Sequence, residues 1–449
     1  MPTPHDSNHP PNAHRFPDPT EVLTWNPPTR IVGASHSANI YATETFHAAP
    51  GCSPLPHMQA PNVKYVYHRK RNEAATADAH EVNDVDDYMR HENAVGLLVM
   101  KDGKIAIEKY APGINEHTLW QSMSVAKSVV STLVGCAVKD GTIRLDATID
   151  QYIPELKGSA YEGVLVQNIL RMCSGVKWNE DYEDPNSDGW YVLATVLGKR
   201  MKGATLERMR SLPRDTNPDT GRPYQQGEVW HYSTGEAYLM GLALERATGV
   251  SLAKYLERKI WQPAKMEQSG VWIKEADDGG CFGGIGFNAT LRDYGRFAQL
   301  VLNNGVLPDG THLLPDNWVK DATTWVAAKN SPIPGFCDNG EYGYMWWFYP
   351  AWDDGYNVAS PLTTKTGPVP LQNTTAPEAV QLTNRTSDWT FSGYGIFGQM
   401  MAINPIEKTI VIQFGTWPMP DPVNLEKYPQ DLYNEESVFV NAVIDALHR

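Results

Sequence analysis

The sequence predicts an α/β fold: an antiparallel sheet flanked by helices, interrupted by an all-α insert. Three observations carry this. Apolar runs of strand length stand near residue 94 and again between 396 and 416, so strands come from both ends of the chain. Between about 145 and 290, apolar residues recur at helical spacing instead. One long apolar helix follows the first strands and another closes the chain. A length of 449 residues accommodates two domains, or one with a large insertion. The boundaries drawn are 76–144 and 291–449 for the α/β part, 145–290 for the helical insert, and 1–75 for a partly disordered N-terminal extension.

In chain order, residues 1 to about 20 are polar and rich in His, Pro and Asn, the composition of a disordered segment. Residues 21–75 read as Pro-rich irregular chain wrapping the surface, and Asp84 to Arg90 as the end of a helix. Ala94 to Met100 and Lys104 to Tyr110 read as strands, joined by the turn Lys101-Asp102-Gly103. The helix beginning at Ser124 stops at Lys139-Asp140-Gly141. Helical patterns follow over 164–172, 190–201, 235–247, 251–260 and 291–304. Residues 306–385 read as irregular. Ile396 to Ile403 and Thr409 to Thr416 read as strands, and Leu432 to Leu447 as the last helix.

Composition narrows the functional classes. A net charge of −14 argues against nucleic acid or an anionic membrane as partner. Five scattered cysteines without a Cys-x-x-Cys pair, and 13 histidines without His-Glu-x-x-His, favour neither a disulfide framework nor a zinc site. No metal or organic cofactor is implied. The polar N-terminus lacks an apolar signal core and no stretch reaches transmembrane length, so the expected location is cytoplasmic. No Gly-x-Ser-x-Gly elbow occurs.

The chemistry concentrates in Gln121-Ser122-Met123-Ser124-Val125-Ala126-Lys127. Ser124 and Lys127 stand three apart on one helix face, so hydroxyl and amine can meet. The helix start offers free N–H groups to an oxyanion. A lysine among apolar neighbours loses its proton more readily and can act as base. The same spacing recurs at Ser174/Lys177 and Ser251/Lys254. Ser251 reads as a helix N-cap and Ser174 lies in a Ser-Gly turn. Only Ser124 enters a helix apolar nearly all round. A proton carrier for the leaving group is expected at Tyr232, in the loop before a helix, its phenol lowered in pKa by the nearby ammonium. A second oxyanion donor is expected from the glycine-rich run Ser392 to Gln399, where missing side chains let backbone approach a ligand.

Taken in order, these motifs resemble the class C β-lactamase and DD-peptidase superfamily, and within it the 6-aminohexanoate-dimer hydrolases and their carboxylesterase relatives. The resemblance runs from about residue 92 to the C-terminus. It is carried by Gln121 to Lys127, Asp181-Tyr182-Glu183-Asp184-Pro185, Tyr232-Ser233, Phe282-Gly283-Gly284 with Leu291-Arg292-Asp293, Gly393 to Gln399, and Thr416-Trp417-Pro418. It implies Ser124 as nucleophile, Lys127 as base, Tyr232 as proton relay, and an oxyanion hole from the backbone N–H groups of Ser124 and Ile396. It also implies substrate contacts at Tyr182, Asp181 and Gly395, a small amide or ester as substrate, and a homodimer. Two departures stand out. The Lys-Thr-Gly slot reads Gly393-Tyr394-Gly395, which removes the cation that holds a β-lactam carboxylate. Lys365-Thr366-Gly367 lies in a polar Pro-rich loop and is rejected as a substitute. The third residue of the tyrosine box is Thr234 rather than Asn. The expected activity is therefore hydrolysis of a small linear amide through an acyl-enzyme. A carboxylesterase is the alternative, and a non-catalytic scaffold is the rival from another class.

Overall fold

The computed structural model describes residues 16–66, 82–323, 341–348, 363–364, 367–368, 390–422 and 432–448. Its main layer follows from one strand. Ala94–Lys101 (β1) is apolar at all but its last position and pairs with Lys104–Tyr110 (β2). Leu97 and Val99 join one apolar cluster, and Leu98 and Met100 join another. Successive side chains point to opposite faces, so a strand apolar throughout must be covered on both.

Five further strands complete the sheet: Glu341–Tyr342 (β3), Trp347–Phe348 (β4), Phe391–Gly395 (β5), Gln399–Asn404 (β6) and Thr409–Gly415 (β7). Their order is β2-β1-β7-β6-β5-β4-β3, antiparallel at every pairing. The chain's early strands thus pair with its last one in mid-sheet. Five helices matter below: Pro27–Ser35 (α1), Val125–Lys139 (α2), Thr234–Thr248 (α3), Leu291–Leu302 (α4) and Leu432–His448 (α5). Helices α2 and α4 pack on one face of the sheet, and α3 packs against α2. Val438, Phe439 and Val443 of α5 cover the other face. Among the described residues no helix is long and apolar enough to cross a membrane.

The structure departs from expectation in four places. Thr43–Phe46, Gly270–Ile273, Phe287–Ala289 and Trp120–Gln121 form a second, four-stranded antiparallel sheet. Runs of two to four residues are too short for alternation to register in sequence. The segment 145–290 therefore holds strands as well as the expected helices. Residues 16–46 are not surface wrapping: Asn26 caps α1 by accepting from the Thr29 N–H at 2.9 Å, and Val22, Leu23, Trp25 and Phe46 are buried. Asp84 begins a helix instead of lying near the end of one, through a capping box with Asp87 over Val85–His91. The strand expected from Ile396 begins only at Gln399, because the chain turns at 396–398 with Phe397 and Gly398 at positive φ. The apolar Ile396-Phe397 pair concealed that turn. Residues 1–15, Lys365 and Thr366, and Trp325 and Trp352 of the 306–385 stretch lie outside the described residues.

Candidate active site

The short strand Trp120–Gln121 delivers the chain to Met123, which adopts φ +44°, and the next residue starts α2. This sharp change of direction sets Ser124 at the helix N-terminus. Its side chain caps nothing, so the hydroxyl is left for chemistry. One turn on, Lys127 is 1% exposed. Its Nζ lies 2.7 Å from Ser124 Oγ, 3.0 Å from Thr234 Oγ1 and 3.0 Å from the Gly284 carbonyl oxygen.

Burial pushes the Lys127 amine down to about 7, against the opposing pull of Glu180. Desolvation wins because an ammonium loses more hydration than one distant carboxylate returns. In the neutral form each hydrogen has a place. Two N–H bonds reach Thr234 Oγ1 and the Gly284 carbonyl, and the lone pair is left for the Ser124 hydroxyl proton. Thr234 can accept from Lys127 because its own O–H donates to Glu180 in a close hydrogen bond.

Glu180 escaped the sequence reading, which fixed on its neighbours Asp181 and Tyr182. Its carboxylate also accepts from the Thr234 N–H at 2.9 Å, from the Tyr182 hydroxyl at 2.8 Å, and from the Trp178 indole N–H. The available signal was Thr234 itself. A hydroxyl in place of an amide can relay to an acceptor, so a nearby carboxylate was to be sought. Asp181, by contrast, is exposed and accepts from the Glu183 N–H at 2.8 Å within its own loop. The structure does not bring it to Ser124.

Tyr232 precedes α3, where Ser233 caps the helix by accepting from the Glu236 N–H at 3.1 Å. Its ring centroid lies 4.9 Å from Lys127 Nζ. The expected lowering of the phenol is overturned. Burial, then Glu180, raise it well above its usual range, and a hydrogen bond with Ser124 opposes them. The phenol therefore keeps its proton near neutral pH, where the buried amine gives its own up about half the time. Trp347 stacks on Tyr232 at 5.3 Å between centroids, and Tyr342 meets it edge-on at 6.0 Å. Together with half-buried Tyr182 these rings make an aromatic wall.

Strand β5 ends against Ser124. A Cβ on Gly395 would stand 2.9 Å from Ser124 N and 2.7 Å from the Ser122 carbonyl oxygen, so only glycine permits this approach. Ile396 follows directly in the chain. The turn is pinned from several sides: Phe397 N–H donates to Pro420 at 2.9 Å, and Trp417 N–H donates to the Phe397 carbonyl at 3.1 Å. Beneath it, buried Gln399 donates to the Phe397 carbonyl at 3.1 Å and accepts from the Trp120 indole at 2.8 Å. The two decoy serines stay apart. Ser251 caps Leu252–Leu256, accepting from the Lys254 N–H at 3.2 Å, and Ser174 is buried in a turn.

A family model described as Beta-lactamase matches residues 82–432. The 6-aminohexanoate-dimer hydrolase of Paenarthrobacter ureafaciens is 24% identical over 330 residues, covering 72% of this chain and 73% of that protein. Esterase EstB of Burkholderia gladioli is 26% identical over 214 residues, 43% of this chain and 51% of that one. A Bacillus anthracis structure provisionally named a 6-aminohexanoate-dimer hydrolase superposes with a TM-score of 0.67 at 20% identity, covering 98% of both chains. At that identity the superposition speaks for the fold alone.

Proposed function

This chain belongs to the beta-lactamase family, and from that premise we propose that it is a serine hydrolase cleaving a small linear amide through an acyl-enzyme. The observation that carries the reading is the contact of Lys127 Nζ with Ser124 Oγ at 2.7 Å, with the amine held near neutrality by burial. Ser124 Oγ attacks the amide carbonyl carbon as its proton passes to Lys127. The oxyanion lies between the N–H groups of Ser124 and Ile396. As the C–N bond breaks, Tyr232 gives its proton to the leaving amine and regains one from Lys127. Water then attacks the ester carbonyl, Lys127 taking its proton and handing it to Ser124 Oγ as the Oγ–C bond breaks, and the acid is released. Tyr182 and Trp347 flank the bound chain. The Gly393-Tyr394-Gly395 sequence at the cation slot speaks for a substrate without a carboxylate beside the scissile bond. Four described cysteines, all free thiols, fit a reducing cytoplasm.

Ester hydrolysis is the second reading. It is favoured by the similarity to Esterase EstB, and an alkoxide leaves with less protonation than an amine. The test is turnover of a 6-aminohexanoate linear dimer and a short-chain p-nitrophenyl ester by wild type and Ser124→Ala. Loss of roughly ten-thousandfold in the variant, with an acyl adduct on the wild type by intact mass, is expected. A Ser124→Ala enzyme with undiminished turnover ends the proposal. Turnover of the ester alone selects the second reading.

A further inference from the structure

We propose that Arg30, from the N-terminal segment, is a positioning residue of the oxyanion hole: its guanidinium holds the turn that presents the Ile396 N–H and adds positive potential there. This rests on the roles given above to Ser124 and Ile396. Arg30 lies in α1 and is 1% exposed, with its guanidinium carbon 3.1 Å from the centroid of the Phe397 ring. Phe397 is the residue after Ile396 and adopts φ +68°, a conformation that bulky side chains rarely take unless their surroundings impose it. Pro420 and Trp417 fix its backbone. The guanidinium laid on its ring fixes its side chain.

The charge itself is the second observation. The guanidinium donates to the Val22 carbonyl at 3.2 Å and to the Trp25 carbonyl, while Nε has no hydrogen-bond partner. No carboxylate pairs with it among the described residues. Burial lowers it to about 9, which still leaves it charged at neutral pH. A buried cation without a counter-ion is destabilising. Binding two carbonyls does not require a full charge, since a neutral amide can donate to them too. An uncompensated cation stacked on the oxyanion turn, however, favours negative charge developing at its edge.

The third observation is placement. Helix α1 also packs against Trp120–Gln121, the strand that leads into Ser124. Trp120 in turn donates to Gln399 under the Ile396 turn. One N-terminal segment therefore touches the supports of both N–H donors.

The test uses full-length wild type, Arg30→Met and Arg30→Lys. It pairs steady-state kinetics on a p-nitrophenyl ester with the infrared stretch of the acyl-enzyme ester carbonyl. Arg30→Met is expected to lose roughly tenfold or more in kcat with KM within about twofold, and its carbonyl stretch should move to higher wavenumber as polarisation weakens. Arg30→Lys should recover part of both. Should Arg30→Met not fold, Phe397→Leu removes the same stacking contact and should move the stretch the same way. An unmoved stretch in the variants overturns the proposal, even if Tm or kcat falls, because a merely structural role leaves the carbonyl environment intact. If the wild type forms no adduct on Ser124, the site reading fails and this inference fails with it. A normal wild-type adduct with unmoved variants sinks this inference alone.

Discussion

At the scale of single residues, the site works by dividing two titrations. Lys127 and Tyr232 share one buried pocket, and burial acts on them in opposite directions. It disfavours the ammonium and disfavours the phenolate, so near pH 7 about half of the amine is unprotonated while the phenol keeps its proton. In the proposed mechanism the base is then available and the acid is loaded. The sequence placed both residues correctly in the chain but assigned the wrong sign to Tyr232, since it weighed a nearby charge and could not see the desolvation. One prediction belongs here. Activity requires Lys127 without its extra proton, so kcat/KM should rise with pH through about 7 and then level off. A profile flat from pH 5 to 9 would remove Lys127 from the role of base.

Single elements decide how these side chains arrive. Helix α3 is one device with several outputs: Tyr232 lies before its cap, Ser233 is the cap, Thr234 is its first residue and Glu236 sits in the first turn. Glu236 is buried, 3.4 Å from the Tyr161 hydroxyl. Burial raises it from 4.5 to about 8. Its folded-state value lies above its unfolded one, so its contribution is full at low pH and is lost as pH rises toward about 8. Wild type should therefore lose stability between pH 5 and 8, and Glu236→Gln, which cannot ionise, should lose less. The expected gap is at least about 2 °C in the change of Tm, read by thermal unfolding at the two pH values. Equal slopes would mean that Glu236 ionises freely within the fold. The elements that sequence located best, β1, β2, α2, α3, α4 and α5, are long and strongly patterned. Of those it missed, the strands of the second sheet lack length, and the turn at 396–398 is hidden behind the apolar Ile396-Phe397 pair.

Across the whole molecule, the N-terminal segment is part of the enzyme's body. Thr43–Phe46 forms the edge of the second sheet, whose opposite edge, Trp120–Gln121, leads into Ser124. Phe46 is 0% exposed, with its ring 4.7 Å from that of Trp261 and 5.7 Å from that of Phe287. Phe46→Ala should cost about 3–5 kcal/mol by urea unfolding, as expected for an aromatic deleted from a packed core. A loss below about 1 kcal/mol would show that the segment is only loosely attached.

By itself the sequence determined the antiparallel sheet with its flanking helices and the meeting of Ser124 with Lys127. Periodicity and local spacing carry that information, because side chains three apart on a buried helix must meet. It also told Ser124 from Ser174 and Ser251, since only one of the three enters an apolar helix. Tertiary structure alone decided the rest. Glu180 joins the site through Thr234, 54 residues away, and Arg30 reaches the Ile396 turn across more than 360 residues. The titration of Lys127 and Tyr232 depends on how deeply both are packed. None of these leaves a local pattern, because each arises where separate segments close over one another and exclude water.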